Sequence, residues 1–143
     1  MSEEAKIEEN IIPVGKIFTD RKLWLGSMLG GPLMAGYILY KNYKVFNEYN
    51  NAKKVLIITI LFTIVLFTII FIMPENINIP NQLIPLIYTG MAWGLLKHLQ
   101  GDKIEKHIND GGQLIGWGKT LLITILFLII TFVPVLLIFT ILS

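Results

Sequence analysis

At 143 residues the chain is short enough for one domain, and it has no cysteine, which excludes disulfides, thiolate nucleophiles and Cys-bound metals. A hydrophobic share of 54 %, a charged share of 15 % and a mean hydropathy of +0.65 belong to a membrane protein rather than a soluble fold. The net charge of +2 is too weak to point to a nucleic-acid partner.

Residues 1–20 read as a polar tail, with Glu3, Glu4, Glu8 and Glu9 set against Lys6 and Lys16. Its acidic start lacks the basic region and apolar run of a signal peptide, and residue 2 is Ser, so no lipidation signal is read. The membrane segments themselves are expected to carry targeting. A short interfacial turn is expected around Ile11 to Phe18, with partner docking by the tail as the alternative to plain solvation.

Residues 21–143 read as one membrane domain of all-α class. The expectation is a four-helix bundle with spans at about 23–40, 55–73, 82–98 and 120–142. Thr19 or Asp20 can cap the helix beginning at Arg21 through a side-chain oxygen. The first span, LWLGSMLGGPLMAGYILY, carries Gly26 and Gly30 as GxxxG, and Gly31 with Ala35 repeats the small-xxx-small spacing. Small residues four apart let helices approach closely in lipid, where packing replaces the missing hydrophobic drive. Pro32 removes a backbone hydrogen bond, so the Gly30-Gly31-Pro32 turn is expected to kink or unwind. Tight packing at a kink is the preferred reading; the rival is a substrate or ion site on broken helix ends.

The connector KNYKVFNEYNNAKK places lysine and tyrosine where headgroups would lie. VLIITILFTIVLFTIIFIM follows, and the short PENINIP link makes the second and third spans antiparallel neighbours. The third span is the least apolar, holds a second GxxxG at Gly90 and Gly94, and is expected to be the most enclosed. In the loop that follows, Asp102 to Asp110 is expected to form a short interfacial helix ending at Gly111-Gly112. Trp117 suits the interface before the last span, LLITILFLIITFVPVLLIFTIL.

All basic residues fall in the tail through Lys22, the 41–54 connector and the 97–119 loop. With four full spans, positive-inside counting puts both loops in the cytoplasm and both termini outside. A re-entrant first segment would instead gather all twelve basic residues on one face. Four crossings is the preferred reading, although eighteen residues at a rise of about 1.5 Å only just reach across.

LGGPLMAGYILYKNYK, IPNQLIPLIYTG and HLQGDKIEKHINDGGQLIGWGK together resemble an uncharacterised family of small bacterial membrane proteins. That family has an FLGGPL-type first segment and an LQG…H…GG…W loop before its last span. The matching positions are Gly30, Gly31, Pro32, Asn42, Gln100, Gly101, His107, Gly112 and Trp117. The resemblance implies a polytopic fold in a bacterial inner membrane and no particular activity. A Gly stands here where the family pattern has a Ser shortly before the loop Trp.

His98, Asp102 and Glu105 can share a helical face, and His107 with Asp110 repeats a three-residue spacing. No second cluster completes a metal site, so these residues, with Gln100, read as solvated or headgroup-contacting. Gly118-Lys119-Thr120 lacks the glycine spacing of a phosphate loop. No catalytic set, metal or cofactor is read. Thr59, Thr63, Thr68, Thr124, Thr131 and Thr140 are expected to bond their own helix carbonyls. The function expected is that of an accessory or structural subunit, packing through glycine faces against itself or other membrane subunits in the bilayer. A small-solute transporter or channel using the Gly30-Gly31-Pro32 break is the alternative.

Overall fold

The computed structural model describes residues 14–143, so the expectations for residues 1–13 lie outside the described residues. The described residues form four helices: α1 (Asp20–Val45), α2 (Tyr49–Ile72), α3 (Leu83–Asn109) and α4 (Trp117–Leu142). Two short strands, β1 (Lys16–Ile17) and β2 (Gln113–Leu114), pair in parallel. The all-α class is as expected; the strand pair falls where an interfacial turn was expected to end. By length and composition, α1, α2 and α4 are long and apolar enough to cross a membrane.

Length misleads for α1. The Phe18 N–H donates to Asn42 Oδ1 at 2.8 Å, and Asn42 Nδ2 donates to the Phe18 carbonyl at 2.9 Å. Twenty-four residues of straight helix would hold these partners about 36 Å apart. The chain therefore folds back on itself, and it does so at Gly31, whose φ of 83° and ψ of −178° are non-helical. An N-arm (20–30) ends on this positive-φ glycine, and Pro32, already fixed at a helical φ, opens a C-arm (32–45). The arms pack antiparallel: a Cβ on Gly26 would meet Met34 at 3.2 Å and Ile38 at 3.4 Å. At 1.5 Å per residue the arms measure about 16 and 21 Å, short of a bilayer core of about 30 Å. The single crossing expected at 23–40 is thus corrected to a helical hairpin.

This hairpin is the core. In α1, 61 % of the apolar window is buried, against 6 % in α2 and 11 % in α4. Leu23, Met34, Ala35, Ile38 and Leu39 form its centre, joined by Ala92, Leu96 and Ile104 of α3. Each of α2, α3 and α4 packs on α1, and none packs substantially on another. The third span was expected to be the enclosed one and to lie beside the second. Instead α3 buries one stripe, Thr89, Ala92, Leu96, Gln100, Ile104 and His107, and leaves the rest exposed or half-buried.

Side-chain ties bring the two ends of the hairpin together with the starts of α2 and α4 and the end of α3. Lys97 pairs with Asp20 at 3.1 Å, and Lys103 pairs with Glu48. The β1–β2 pairing and the Ile115 N–H bond to the Ile17 carbonyl (2.9 Å) fasten the chain before α1 to the chain after α3. Every described Lys and Arg therefore gathers at one end of the molecule, the start of α1 included. Four crossings would have put that start at the opposite end.

Two further local expectations change. Residues 102–109 are helical as the last turns of the continuous α3, without forming a separate interfacial helix. Thr19 caps α1 through its carbonyl, which accepts from the Leu23 N–H at 3.0 Å, and no side-chain cap forms. The stop at Gly111 is as expected. Its φ is 78°, and the Gly112 N–H reaches the His107 carbonyl at 2.7 Å. α1 ends in the same way with Asn47 at φ 60°, the Glu48 N–H reaching the Tyr43 carbonyl at 2.9 Å.

Candidate functional site

Three places hold the residues that the sequence singles out: the hairpin tip, the basic end and the outer face of α3. At the tip, Gly30, Gly31 and Pro32 are buried. A Cβ on Gly30 would lie 3.2 Å from the Thr124 carbonyl of α4, and one on Gly31 would lie 3.4 Å from Thr131 Oγ1. The break frees carbonyls at the end of the N-arm, and Thr131 Oγ1 donates to that of Gly30 at 3.4 Å. The other threonines of the apolar helices behave as expected: Thr59, Thr63, Thr68, Thr124 and Thr140 each donate to the carbonyl four residues earlier. Beyond the tip lies a cavity of about 320 Å³, lined by Gly31, Pro32, Asn81, Tyr88 and Thr131 among apolar neighbours. Farther along the N-arm, Ser27 Oγ donates to Thr89 Oγ1 at 3.2 Å and ties the hairpin to α3.

The basic end is a clasp of buried polar side chains, each holding a backbone group. Asn42 pairs with both polar groups of Phe18, as a neighbouring strand would. Gln100 Nε2 donates to the Leu39 carbonyl at 3.0 Å. His107, 1 % exposed, has Nε2 3.0 Å from the Gln113 carbonyl, a contact that needs Nε2 to carry the proton. Gly112 provides its seat, since a Cβ there would fall 2.3 Å from Nε2. Lys22, only 6 % exposed, donates to the Ile115 carbonyl, with its ammonium 5.6 Å from the centre of the Trp117 ring. Two atoms in the clasp have no hydrogen-bond partner among the described residues, Gln100 Oε1 and His107 Nδ1.

The predicted loop residues thus part company. Gln100 and His107 face inward and fasten the fold, whereas His98, Asp102 and Glu105 are exposed on the outside of α3. No group of three His, Asp or Glu side chains gathers among the described residues. Ala35 is 4 % exposed within the core. Gly36, beside it, lets α2 approach closely, since a Cβ there would run into Thr59.

Gly90 and Gly94 stand apart from this packing. A Cβ on either would meet nothing within 4 Å, and the same is true of Gly101. At about 100° per residue, positions 90, 94 and 101 fall within about 40° of one another, a third glycine extending the predicted pair. Sequence reading missed Lys22 as a buried group and the β1–β2 strap. It had Asn42 only through the family resemblance. In comparisons with protein-family models, curated proteins and solved structures, nothing matches the chain.

Proposed function

We propose that this chain is a membrane protein in which α2, α3 and α4 cross the bilayer and α1 is a re-entrant hairpin, and that it serves as an accessory or structural subunit. Unwound backbone at membrane depth is stable only when protein surrounds it, and the buried Gly30-Gly31-Pro32 tip meets that condition. Positive-inside counting then places the basic end, with the described start of the chain, in the cytoplasm and Ser143 outside. The family resemblance supports a bacterial inner membrane.

The observation that carries the subunit reading is the open glycine stripe of α3. Gly90, Gly94 and Gly101 offer a second helix a close approach that no described helix of this chain uses. A second copy is the first partner to test, with another membrane subunit as the alternative. Gly94→Leu leaves the monomer intact, because its side chain enters open space, yet blocks the stripe. Crosslinking and native mass spectrometry should show association in the wild type and its loss in the variant. A strictly monomeric, partnerless wild type, or a variant that associates unchanged, overturns the reading.

One observation favours a second reading, a small-solute transporter or channel: the cavity beyond the broken helix ends, with Asn81, Tyr88 and Thr131 in its wall. Against it, no ionisable carboxylate, His, Lys or Arg lines that cavity. Liposome flux abolished by Gly31→Leu supports transport, and flux no greater than that of empty vesicles removes it.

A further inference from the structure

Because α2 and α3 pack on the hairpin and not substantially on each other, the seam between them stays open. It is a crevice of about 210 Å³, with Ala35 and Gly36 as its floor, Ile58 and Phe62 on one wall and Met91 and Leu95 on the other. Its surface is almost wholly hydrocarbon. Thr59 is one of two lining residues with a hydroxyl, and it already donates to the Val55 carbonyl at 2.7 Å. Beyond the single Tyr88 hydroxyl nothing here would hold a polar solute, whereas a hydrocarbon chain would replace the missing helix–helix contact.

The crevice runs toward the basic end, where Leu39, Val55 and Leu95 line it. Lys54 lies one helical turn beyond Ile58 on the same face of α2, whereas Lys53, about 100° further round the helix, faces away from the seam. Lys54 is exposed and pairs with no described carboxylate; the ion pairs among the described residues are Lys97–Asp20 and Lys103–Glu48. An apolar groove with an unneutralised cation at its mouth matches one chemistry, a phosphate ester carrying an acyl chain.

We propose that the α2–α3 seam is a binding site for an anionic phospholipid, with one acyl chain in the crevice and the phosphate on Lys54. The site rests on the membrane placement proposed above and is independent of the α3 glycine stripe. The attraction of one lysine near a membrane surface corresponds to roughly a fivefold preference for an anionic over a zwitterionic headgroup.

The test is native mass spectrometry of the full chain, delipidated in detergent and then given phosphatidylglycerol and phosphatidylcholine of identical chains. The expected result is selective retention of phosphatidylglycerol. Lys54→Gln should bring that retention down to the phosphatidylcholine level. Met91→Trp, at an exposed wall position, should lower retention of both lipids by filling the groove. Inorganic phosphate at equal concentration should not displace the lipid. Equal retention of the two lipids, undiminished selectivity in the lysine variant, or displacement by phosphate alone overturns the proposal. Loss of the membrane placement would read out differently, as a folded protein that needs no detergent.

Discussion

Replacing Gly31 by alanine separates the hairpin from a straight helix by the sign of a free energy. In the hairpin Gly31 sits at φ 83°, ψ −178°, a region that essentially only glycine visits. An alanine there costs about 1–3 kcal/mol in backbone strain. The added Cβ contributes little, since its nearest neighbour, Thr131 Oγ1, would be 3.4 Å away in ordinary contact. In a continuous helix the same substitution would stabilise by about 1 kcal/mol, because alanine is the better helix former. Gly118→Ala in the first turn of α4, with nothing within 4 Å of its Cβ, is the matched helical control. Unfolding in mixed micelles, followed by helical circular dichroism, measures both. Destabilisation at position 31 beside a neutral or positive effect at 118 is expected. A Gly31→Ala protein as stable as wild type, or more so, refutes the fold-back.

Asn42→Leu strips the partners from the buried N–H and carbonyl of Phe18, a loss of roughly 2–4 kcal/mol. The thermal midpoint should fall and amide exchange at Phe18 should rise; unchanged exchange would mean that the pairing is absent. Gly112→Ala drives a Cβ into the His107 ring and should cost about 1–3 kcal/mol. In a His107→Ala background the same change should cost much less, and additive effects would show that the two residues do not touch.

Much of this fold is legible in the residues, and the misreading has a definite cause. The apolar runs of α2 and α4 are uncharged and long enough to declare themselves. The glycines and Pro32 of α1 mark the break just as clearly. Local pattern does not say whether a break bends a helix or reverses it, because that depends on contacts distant in sequence. The reversal is held by Asn42 reaching Phe18, and by Thr131 meeting the Gly30 carbonyl 101 residues away. One signal did point to it: Arg21 and Lys22 at one end of the segment, Lys41 and Lys44 at the other, as expected when both ends meet one membrane surface. At the clasp, Gln100 and His107 resembled solvated loop residues, because burial of a polar side chain becomes visible only once its backbone partner is in place. The outward exposure of Gly90 and Gly94 is likewise decided by which side of α3 the hairpin occupies.

The reversal of α1 can be measured as a distance. Arg21 and Lys44 are both exposed, and the chain has no native cysteine to compete for label. Spin labels on Arg21→Cys and Lys44→Cys, read by double electron–electron resonance in nanodiscs, sample the two ends of the segment. Packed helices lie about 8–10 Å apart, so the hairpin predicts a short separation, extended only by the label arms. A distribution centred near 35 Å, the rise of an unbroken helix between these positions, would contradict the account.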